Sequence, residues 1–271
     1  MFNTKTLFVV GAGASNEVGL PLGGSLLETI AREMDYHFEF GNTLTSGNRV
    51  LFDTWQNRYR EDYDTLNAVI AAARKIHLAY GFANSIDQFI DTHHTDELVA
   101  FCGKCAIALF ILGEEQQSDL MVDPSQMDAR LQLDKLDESW FVPFSKMLFE
   151  GVRIDQISTL FDNISIVCFN YDRCIEHFLV HAITLHYQIE IDDARRLVAE
   201  SLSILHPYGL VGDLTAPNTP GGVTFGQHLT REDLIEVSGR INTFTEQRDQ
   251  GTMEIVQHDV WTFGFPLISH P

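Results

Sequence analysis

The residues best suited to chemistry begin with the stretch GAGAS near the start of the chain. It consists of Gly11, Ala12, Gly13, Ala14 and Ser15. Small side chains let a ligand approach the main chain, and backbone N–H groups ahead of a helix bind phosphate well. The spacing departs from the usual dinucleotide fingerprint, because Asn16 stands where a third glycine is expected. The stretch therefore indicates a phosphate-binding loop, and a tight turn without a ligand is the alternative.

Polar groups follow two further apolar runs, ISIVCF at 164–169 and SIL at 203–205. Asn170 follows the first run, and its amide can orient a water molecule or a ribose hydroxyl. His206 follows the second run, and an ordinary imidazole pKa of about 6.5 suits a proton acceptor. A purely structural histidine is the alternative. Asp172 either belongs to the same site or caps the next helix.

Hydrophobic periodicity indicates the elements that must position these groups. TLFVV at 6–10 is a continuous apolar run, which is typical of a strand buried on both faces. ISIVCF, SIL and DVWTFGF at 259–265 are further strand candidates. In open α/β sheets, ligands bind at the carboxyl ends of the parallel strands. GAGAS, Asn170 and His206 are therefore expected at one edge of a sheet.

Helical patterns separate these strands. The expected helices lie at 24–34, 64–80, 95–112 and 173–189. The pairs Ser25–Glu28 and Ser85–Gln88 have the spacing of capping boxes, and the acidic segment 113–139 is expected as a surface excursion or a small helical insert. The whole pattern predicts one α/β domain over residues 1–271. We expect it to be Rossmann-like and doubly wound, with a mostly parallel sheet and a helical insertion at roughly 40–150.

Composition limits the classes of function. With 38 acidic and 18 basic residues, the formal charge is −20, and this charge repels nucleic acid and anionic lipid. The longest apolar stretch, AIALFIL at 106–112, is too short to span a bilayer, and the N-terminus lacks the pattern of a signal peptide. We therefore expect a cytoplasmic protein that binds neither nucleic acid nor membrane.

The motif CGKC places Cys102 and Cys105 at the spacing of one half of a zinc site. A second CxxC is absent, since Cys168 and Cys174 stand singly. The two cysteines lie three apart in a helical pattern, so they are expected to pack as small apolar side chains on one buried helix face. We expect no bound metal, and a zinc site is the alternative.

The order of the motifs resembles a known family. GAGAS followed by GLP, NYD after an apolar strand, HPYG about 36 residues later and a final TFGF are similar to the sirtuin-like, or silent-information-regulator-like, NAD-binding domain. The similarity is closest to the divergent branch that hydrolyses NAD+ in bacterial anti-phage defence. The stretch SIDQFID at 85–91 also looks like a motif of that branch.

The resemblance implies roles for individual residues. Asn170 would position the attacking water or the ribose hydroxyls, and His206 would accept a proton from one of them. Asp172 would help to hold the pocket, and Gly264 with Phe265 would line the adenosine end. The implied NAD+ contacts are Gly11, Ala12, Gly13, Ala14, Ser15, Leu20, Pro21, Asp87, Asp172, Gly264 and Phe265.

Departures from the family pattern favour a hydrolase over a protein deacylase. Deacylating sirtuins continue with a GIPDFR loop, of which Gly19, Leu20 and Pro21 match the beginning, whereas Leu22–Gly24 replace the Asp-Phe-Arg part. The cysteines of the sirtuin zinc ribbon are also missing. We expect an NAD+ hydrolase that releases nicotinamide and ADP-ribose, and a non-catalytic module that senses NAD or ADP-ribose is the alternative.

The resemblance also implies partners. These are NAD+ as substrate, a homo-oligomer, and a partner defence protein such as an ATPase. Because the resembled family continues past the TFGF strand with a further helix, the sequence is expected to be part of a longer chain.

Overall fold

A computed structural model describes residues 2–40, 43–123, 129–214 and 222–243. The strands there are β1 (Thr6–Val10), β2 (His37–Glu39), β3 (Thr43–Ser46), β4 (Ile164–Cys168) and β5 (Ser203–Leu205). The helices are α1 (Ala12–Asn16), α2 (Gly23–Glu33), α3 (Arg49–Arg58), α4 (Tyr63–Ala79), α5 (Ile86–Thr92), α6 (Glu97–Gln117), α7 (Phe141–Phe149), α8 (Cys174–Tyr187), α9 (Ile191–Ser201) and α10 (Arg231–Ser238). The strand predicted at 259–265, with Gly264 and Phe265, lies outside the described residues.

Three of these strands form a parallel sheet in the order β1-β4-β5, so the α/β prediction is confirmed. Val10 pairs with Cys168, and Val167 pairs with Leu205. This register brings the carboxyl ends of all three strands to one edge of the sheet, as predicted. Residues 11, 169–172 and 206 therefore leave the sheet side by side.

The prediction that the first strand is buried on both faces is wrong, because four of the five residues of β1 are partly buried or exposed. All five residues of β4 are buried, because this strand has a neighbour on each side. In contrast, β1 has one neighbouring strand in the described part of the chain, and the Val9 side chain is 67% exposed. A continuous apolar run does not distinguish a strand with two neighbouring strands from a strand with one.

The predicted helices are present, but some of their ends differ. The acidic start of segment 113–139 is not a surface excursion, because α6 continues to Gln117 and buries Glu115 completely. The capping box at Ser25 is also wrong. The cap of α2 is Leu22, whose carbonyl accepts a hydrogen bond from the Ser25 hydroxyl over 2.9 Å.

The second predicted capping box is half confirmed. The Ser85 hydroxyl accepts a hydrogen bond from the backbone N–H of Gln88 over 3.2 Å and so caps α5. The Gln88 side chain does not return to Ser85. Its Oε1 instead accepts from the backbone N–H of Asn84 over 2.7 Å, one residue earlier.

Two hydrophobic clusters support these elements. One cluster packs β1 and β4 against α7, α8 and α9. The other packs α2, α3, α4, α5, α6 and α10 against one another. Among the described residues, no helix is both long enough and apolar enough to cross a membrane.

Cys102 and Cys105 lie within the helical cluster, as the packing interpretation predicts. Both are fully buried in α6, where Cys102 Sγ lies 3.4 Å from the Val69 carbonyl and Cys105 Sγ lies 3.5 Å from Ser238 Oγ. Burial raises the pKa of both thiols, which favours the protonated form. No group of three or more His, Cys, Asp or Glu side chains is arranged to hold a metal ion in the part of the chain described.

Candidate functional site

Asn170 connects the ends of the first two parallel strands. Its Nδ2 donates a hydrogen bond to the carbonyl of Gly11 over 3.1 Å and another to Ser15 Oγ over 2.9 Å. The Ser15 hydroxyl in turn donates to Asp172 Oδ1 over 3.0 Å. Asn170, Ser15 and Asp172 are all buried, so this network fixes the segment after β1 against the segment after β4.

The GAGAS stretch is a helix rather than a loop. Gly11 caps the five-residue helix α1 with an extended backbone, at φ −129° and ψ −177°. The backbone N–H of Ala14 donates to the Gly11 carbonyl over 3.0 Å and closes the first turn. The predicted loop is therefore reduced to Gly11 itself, with the helix starting at Ala12.

Gly11 and Gly13 are not required by the backbone. Neither has a positive φ, and a Cβ atom built on either would have no neighbour within 4 Å among the described residues. Gly226 differs, because its φ is +66° and a Cβ there would lie 2.8 Å from the backbone of Gln116. Sterics within the fold thus explain Gly226 but leave open space above Gly11 and Gly13.

The GLP stretch, residues 19–21, is hydrogen-bonded to the end of α1. Leu20 is fully buried in the cluster around the sheet, and its backbone N–H donates to the Ser15 carbonyl over 3.1 Å. Its own carbonyl accepts from Asn16 Nδ2 over 2.8 Å. The Leu20 side chain therefore packs in the core, and Pro21 beside it is half-buried.

His206 lies at the same edge but is not an ordinary imidazole. Its Nδ1 lies 3.2 Å from the carbonyl oxygen of Asn170, and its Nε2 lies 2.9 Å from Glu176 Oε1. Both partners only accept hydrogen bonds, so both ring nitrogens must carry a proton. Burial alone would lower the pKa of His206, but hydrogen bonds with Cys168 and Glu176 outweigh burial and raise this pKa to about 10. The expectation of an ordinary pKa is therefore wrong.

Glu176 was not identified from the sequence. It lies in the first turn of α8, and its Oε2 is buried without a hydrogen-bond partner among the described residues. A buried acceptor without a partner is unusual in a folded protein. His206 and Glu176 thus form an ion pair in which one buried acceptor atom has no partner among the described residues.

Asp172 does not occupy the N-cap position of α8, which is Arg173, but its side chain binds the first backbone N–H of that helix. Its Oδ1 accepts from the backbone N–H of Cys174 over 3.1 Å as well as from the Ser15 hydroxyl. Burial raises the pKa of this carboxyl. Asp172 therefore holds the start of α8 and the end of α1 together.

Asp87 reaches this edge from α5. Its Oδ1 accepts a hydrogen bond from the hydroxyl of Tyr171, the residue next to Asn170. Burial raises the pKa of Asp87. The ring of Tyr208 lies 6.4 Å from that of Tyr171 and 5.7 Å from that of Phe169, which is 40% exposed. Sequence reasoning missed this aromatic group, although Tyr171 and Tyr208 are the tyrosines of NYD and HPYG and Phe169 directly precedes NYD.

A fully buried ion pair fixes the start of α8. Arg173 donates to Glu115 through Nε over 3.1 Å and through Nη2 over 2.5 Å. Its other contacts are to the carbonyls of Gly212, Val223 and Thr224. Arg173 follows directly after Asp172, so this pair fixes the turn that carries Asn170. The local sequence carries no signal of this pair, because Glu115 lies in the polar run GEEQQ at 113–117.

The structure thus brings six of the predicted site residues together. Gly11, Ser15, Asn170, Asp172 and His206 form one hydrogen-bonded group, and Asp87 joins it through Tyr171. A groove of about 700 Å³ lies elsewhere, between α7 and α8, and contains none of these residues. At the candidate site itself, Gly11, Gly13 and Phe169 are exposed.

Comparison with known proteins found no matching family model, no matching curated protein and no matching solved structure.

Proposed function

We propose that this chain is a Rossmann-like, doubly wound domain that binds NAD+ at the carboxyl edge of its sheet and hydrolyses it. The observation that carries the proposal is the open space above Gly11 and Gly13, at the end of a parallel strand. The fold does not require glycine at either position, whereas a pyrophosphate lying on the main chain would. The motif order that resembles the sirtuin-like family supports NAD+ as the nucleotide.

The proposed reaction breaks the bond between ribose C1′ and the nicotinamide nitrogen. The electron pair of that bond leaves with nicotinamide, which becomes neutral, while the oxygen of water bonds to C1′. The proton lost by the water passes to a base or to solvent. Because the leaving group starts as a cation, the site mainly has to position water and stabilise an oxocarbenium-like ribose. Asn170 is our candidate for the residue that positions the water.

The group that accepts the proton from water depends on the ion pair between His206 and Glu176. A doubly protonated His206 cannot accept a proton, so its expected role as a lone base does not fit this conformation. Glu176 Oε2, which is buried and has no hydrogen-bond partner among the described residues, is an acceptor beside it. We propose that a carboxylate oxygen of Glu176 takes the proton from the water while the other keeps its hydrogen bond to the His206 imidazolium, and that NAD+ binding makes this oxygen accessible.

The same geometry favours a second candidate, a module that senses NAD or ADP-ribose without turnover. Both ring nitrogens of His206 already have hydrogen-bond partners, and Asn170 Nδ2 donates to the Gly11 carbonyl and to Ser15 Oγ. In such a module these residues would link ligand binding at the glycines to the position of α8. A role as an effector of bacterial anti-phage defence, with a homo-oligomer or an ATPase partner, rests on the resemblance alone.

Product analysis separates these candidates. The protein is incubated with NAD+ in the absence of acylated peptide, and nicotinamide and ADP-ribose are quantified by chromatography. A hydrolase forms both in equal amounts. A sensor binds NAD+ without forming either, and a deacylase forms nicotinamide only when acylated peptide is added.

A further inference from the structure

A second polar cavity lies on the helical side of the molecule, where α3 faces the beginnings of α4 and α10. Its volume is about 450 Å³, and none of its lining residues belongs to the candidate site at the sheet edge. Three arginines line it, namely Arg49, Arg60 and Arg231. The chain has only 18 basic residues against 38 acidic ones, so three guanidinium groups on one cavity are a marked local concentration of positive charge.

Asp53 occupies the centre of this arrangement. Its Oδ1 lies 3.0 Å from Arg49 Nε, and its Oδ2 lies 3.3 Å from Arg231 Nη2. One carboxylate thus holds two guanidinium groups that come from different helices. A phosphate offers more oxygen atoms and more charge than a carboxylate, and the planar fork of arginine suits it well.

Helix electrostatics do not explain these arginines. Arg49 is the first residue of α3 and Arg231 is the first residue of α10. A cation is disfavoured at the N-terminus of a helix, because the helix dipole is positive there. Residues that break such a local rule often serve a function. Arg60 is also only weakly engaged, since its Nε lies 3.7 Å from Glu61 Oε1 and its side chain is 75% exposed.

The remaining lining is suited to a base. The Tyr63 ring stands at the rim and is 72% exposed. Exposed aromatic rings stack on nucleobases, and a cavity of this size falls in the range of small-molecule sites. Asn57 is oriented by Glu232, because its Nδ2 donates to Glu232 Oε1 over 3.1 Å.

We propose that this cavity is a second nucleotide site, in which Arg49 and Arg231 bind the phosphate groups and Tyr63 stacks on the base. Asp53 competes with the phosphate for the same two guanidinium groups, so it sets an upper limit on affinity. The proposal does not depend on hydrolysis of NAD+ at the sheet edge.

The test uses ATP and inorganic pyrophosphate as probes, titrated calorimetrically at low ionic strength. All variants carry Gly13→Val, so that binding at the sheet edge does not contribute. Arg49→Gln and Arg231→Gln should each weaken both probes about tenfold or more, as expected for a hydrogen bond between charged groups. Tyr63→Ala should weaken ATP alone. Asp53→Asn should strengthen both probes, because the competing carboxylate is gone.

Arg196→Gln is the matched control, since Arg196 is an exposed arginine paired with Asp193 over 3.2 Å outside this cavity. It makes the same change in charge and should leave both affinities unchanged. Absence of binding to both probes would overturn the proposal, and so would an equal loss in the control or an unchanged affinity in Asp53→Asn. ATP binding that matches pyrophosphate and ignores Tyr63→Ala would overturn the assignment to a nucleotide.

Discussion

Asn170 Nδ2 lies 3.1 Å from the carbonyl oxygen of Gly11, although 159 residues separate the two in the chain. The parallel register of β1 and β4 creates this contact, because Val10 and Cys168 are direct neighbours. The Asn170 amide, which we propose positions the attacking water, thus also holds the proposed ligand-binding segment at Gly11 in place.

Asn170→Ala should destabilise the protein as well as abolish nicotinamide release. The substitution removes two buried hydrogen bonds, and each net loss is worth about 1 kcal/mol. Urea unfolding should therefore show a loss of about 1–3 kcal/mol. Asn170→Asp should cost more, because it places a carboxylate against the Gly11 carbonyl and close to Asp172.

Asn163→Ala provides the control for this prediction. Asn163 Nδ2 donates a single hydrogen bond to the Phe2 carbonyl over 2.8 Å, at the opposite end of β4. This variant should lose some stability and keep full turnover. An Asn170→Ala protein that retains both its stability and its turnover would remove Asn170 from the site.

His206 should make stability depend on pH in a defined direction. Its pKa of about 10 in the folded protein is above the value of about 6.5 expected in the unfolded chain. The stabilisation is therefore complete below about pH 6.5 and is lost as the pH rises through the folded value. The advantage of the wild type over His206→Gln should be on the order of 1.5–3 kcal/mol near neutral pH and shrink towards pH 10.

The measurement is urea unfolding of wild type, His206→Gln and Glu176→Gln across this pH range. Glu176→Gln should weaken this pH dependence, because one of the two groups that raise the pKa of His206 is gone and Cys168 remains. A wild-type advantage that grows with rising pH would show that His206 is neutral in the folded protein. The histidine would then be free to act as a base by itself.

Glu115→Gln should be among the most destabilising single substitutions. It leaves the guanidinium of Arg173 buried without a counter-charge, and breaking a buried ion pair in this way commonly costs about 3–5 kcal/mol. Arg196→Gln is again a suitable control, because exposed ion pairs contribute about 0–1 kcal/mol. Equal unfolding free energies for the two variants, measured in urea, would contradict the proposed role of the Glu115–Arg173 pair.

The sequence was sufficient to predict that the three strand ends lie at one edge of a sheet. Apolar runs followed by GAG, NYD and HPYG are separated by helical patterns, and this alternation is typical of a parallel α/β sheet. The sequence could not show that β1 pairs with β4 alone among the described strands, because strand order depends on contacts between distant segments. It also could not show the charge state of His206. That state depends on Glu176 and on the Asn170 carbonyl, which are 30 and 36 residues away in the chain.

The buried pair Glu115–Arg173 was missed for a similar reason. Charged residues near the end of a helix normally indicate a solvated surface, and only the three-dimensional partner reveals that Glu115 is in the core. The capping error at Ser25 has a local origin. A Ser-x-x-Glu spacing fits a helix whose N-cap is Ser25. The helix α2 instead begins at Gly23, two residues before Ser25.

The central claim is that a dinucleotide lies on the main chain at Gly11 and Gly13, and NAD+ titration of a Gly13 series tests it most directly. Gly13→Ala and Gly13→Val should both fold, because a Cβ at this position meets nothing within 4 Å. Alanine should even add about 0.5–1 kcal/mol to the stability of the helix. We predict that NAD+ affinity falls in Gly13→Ala and is lost in Gly13→Val, while the thermal midpoints stay at or above that of the wild type. Unchanged NAD+ affinity in a well-folded Gly13→Val protein, or no NAD+ binding by the wild type, would contradict the account.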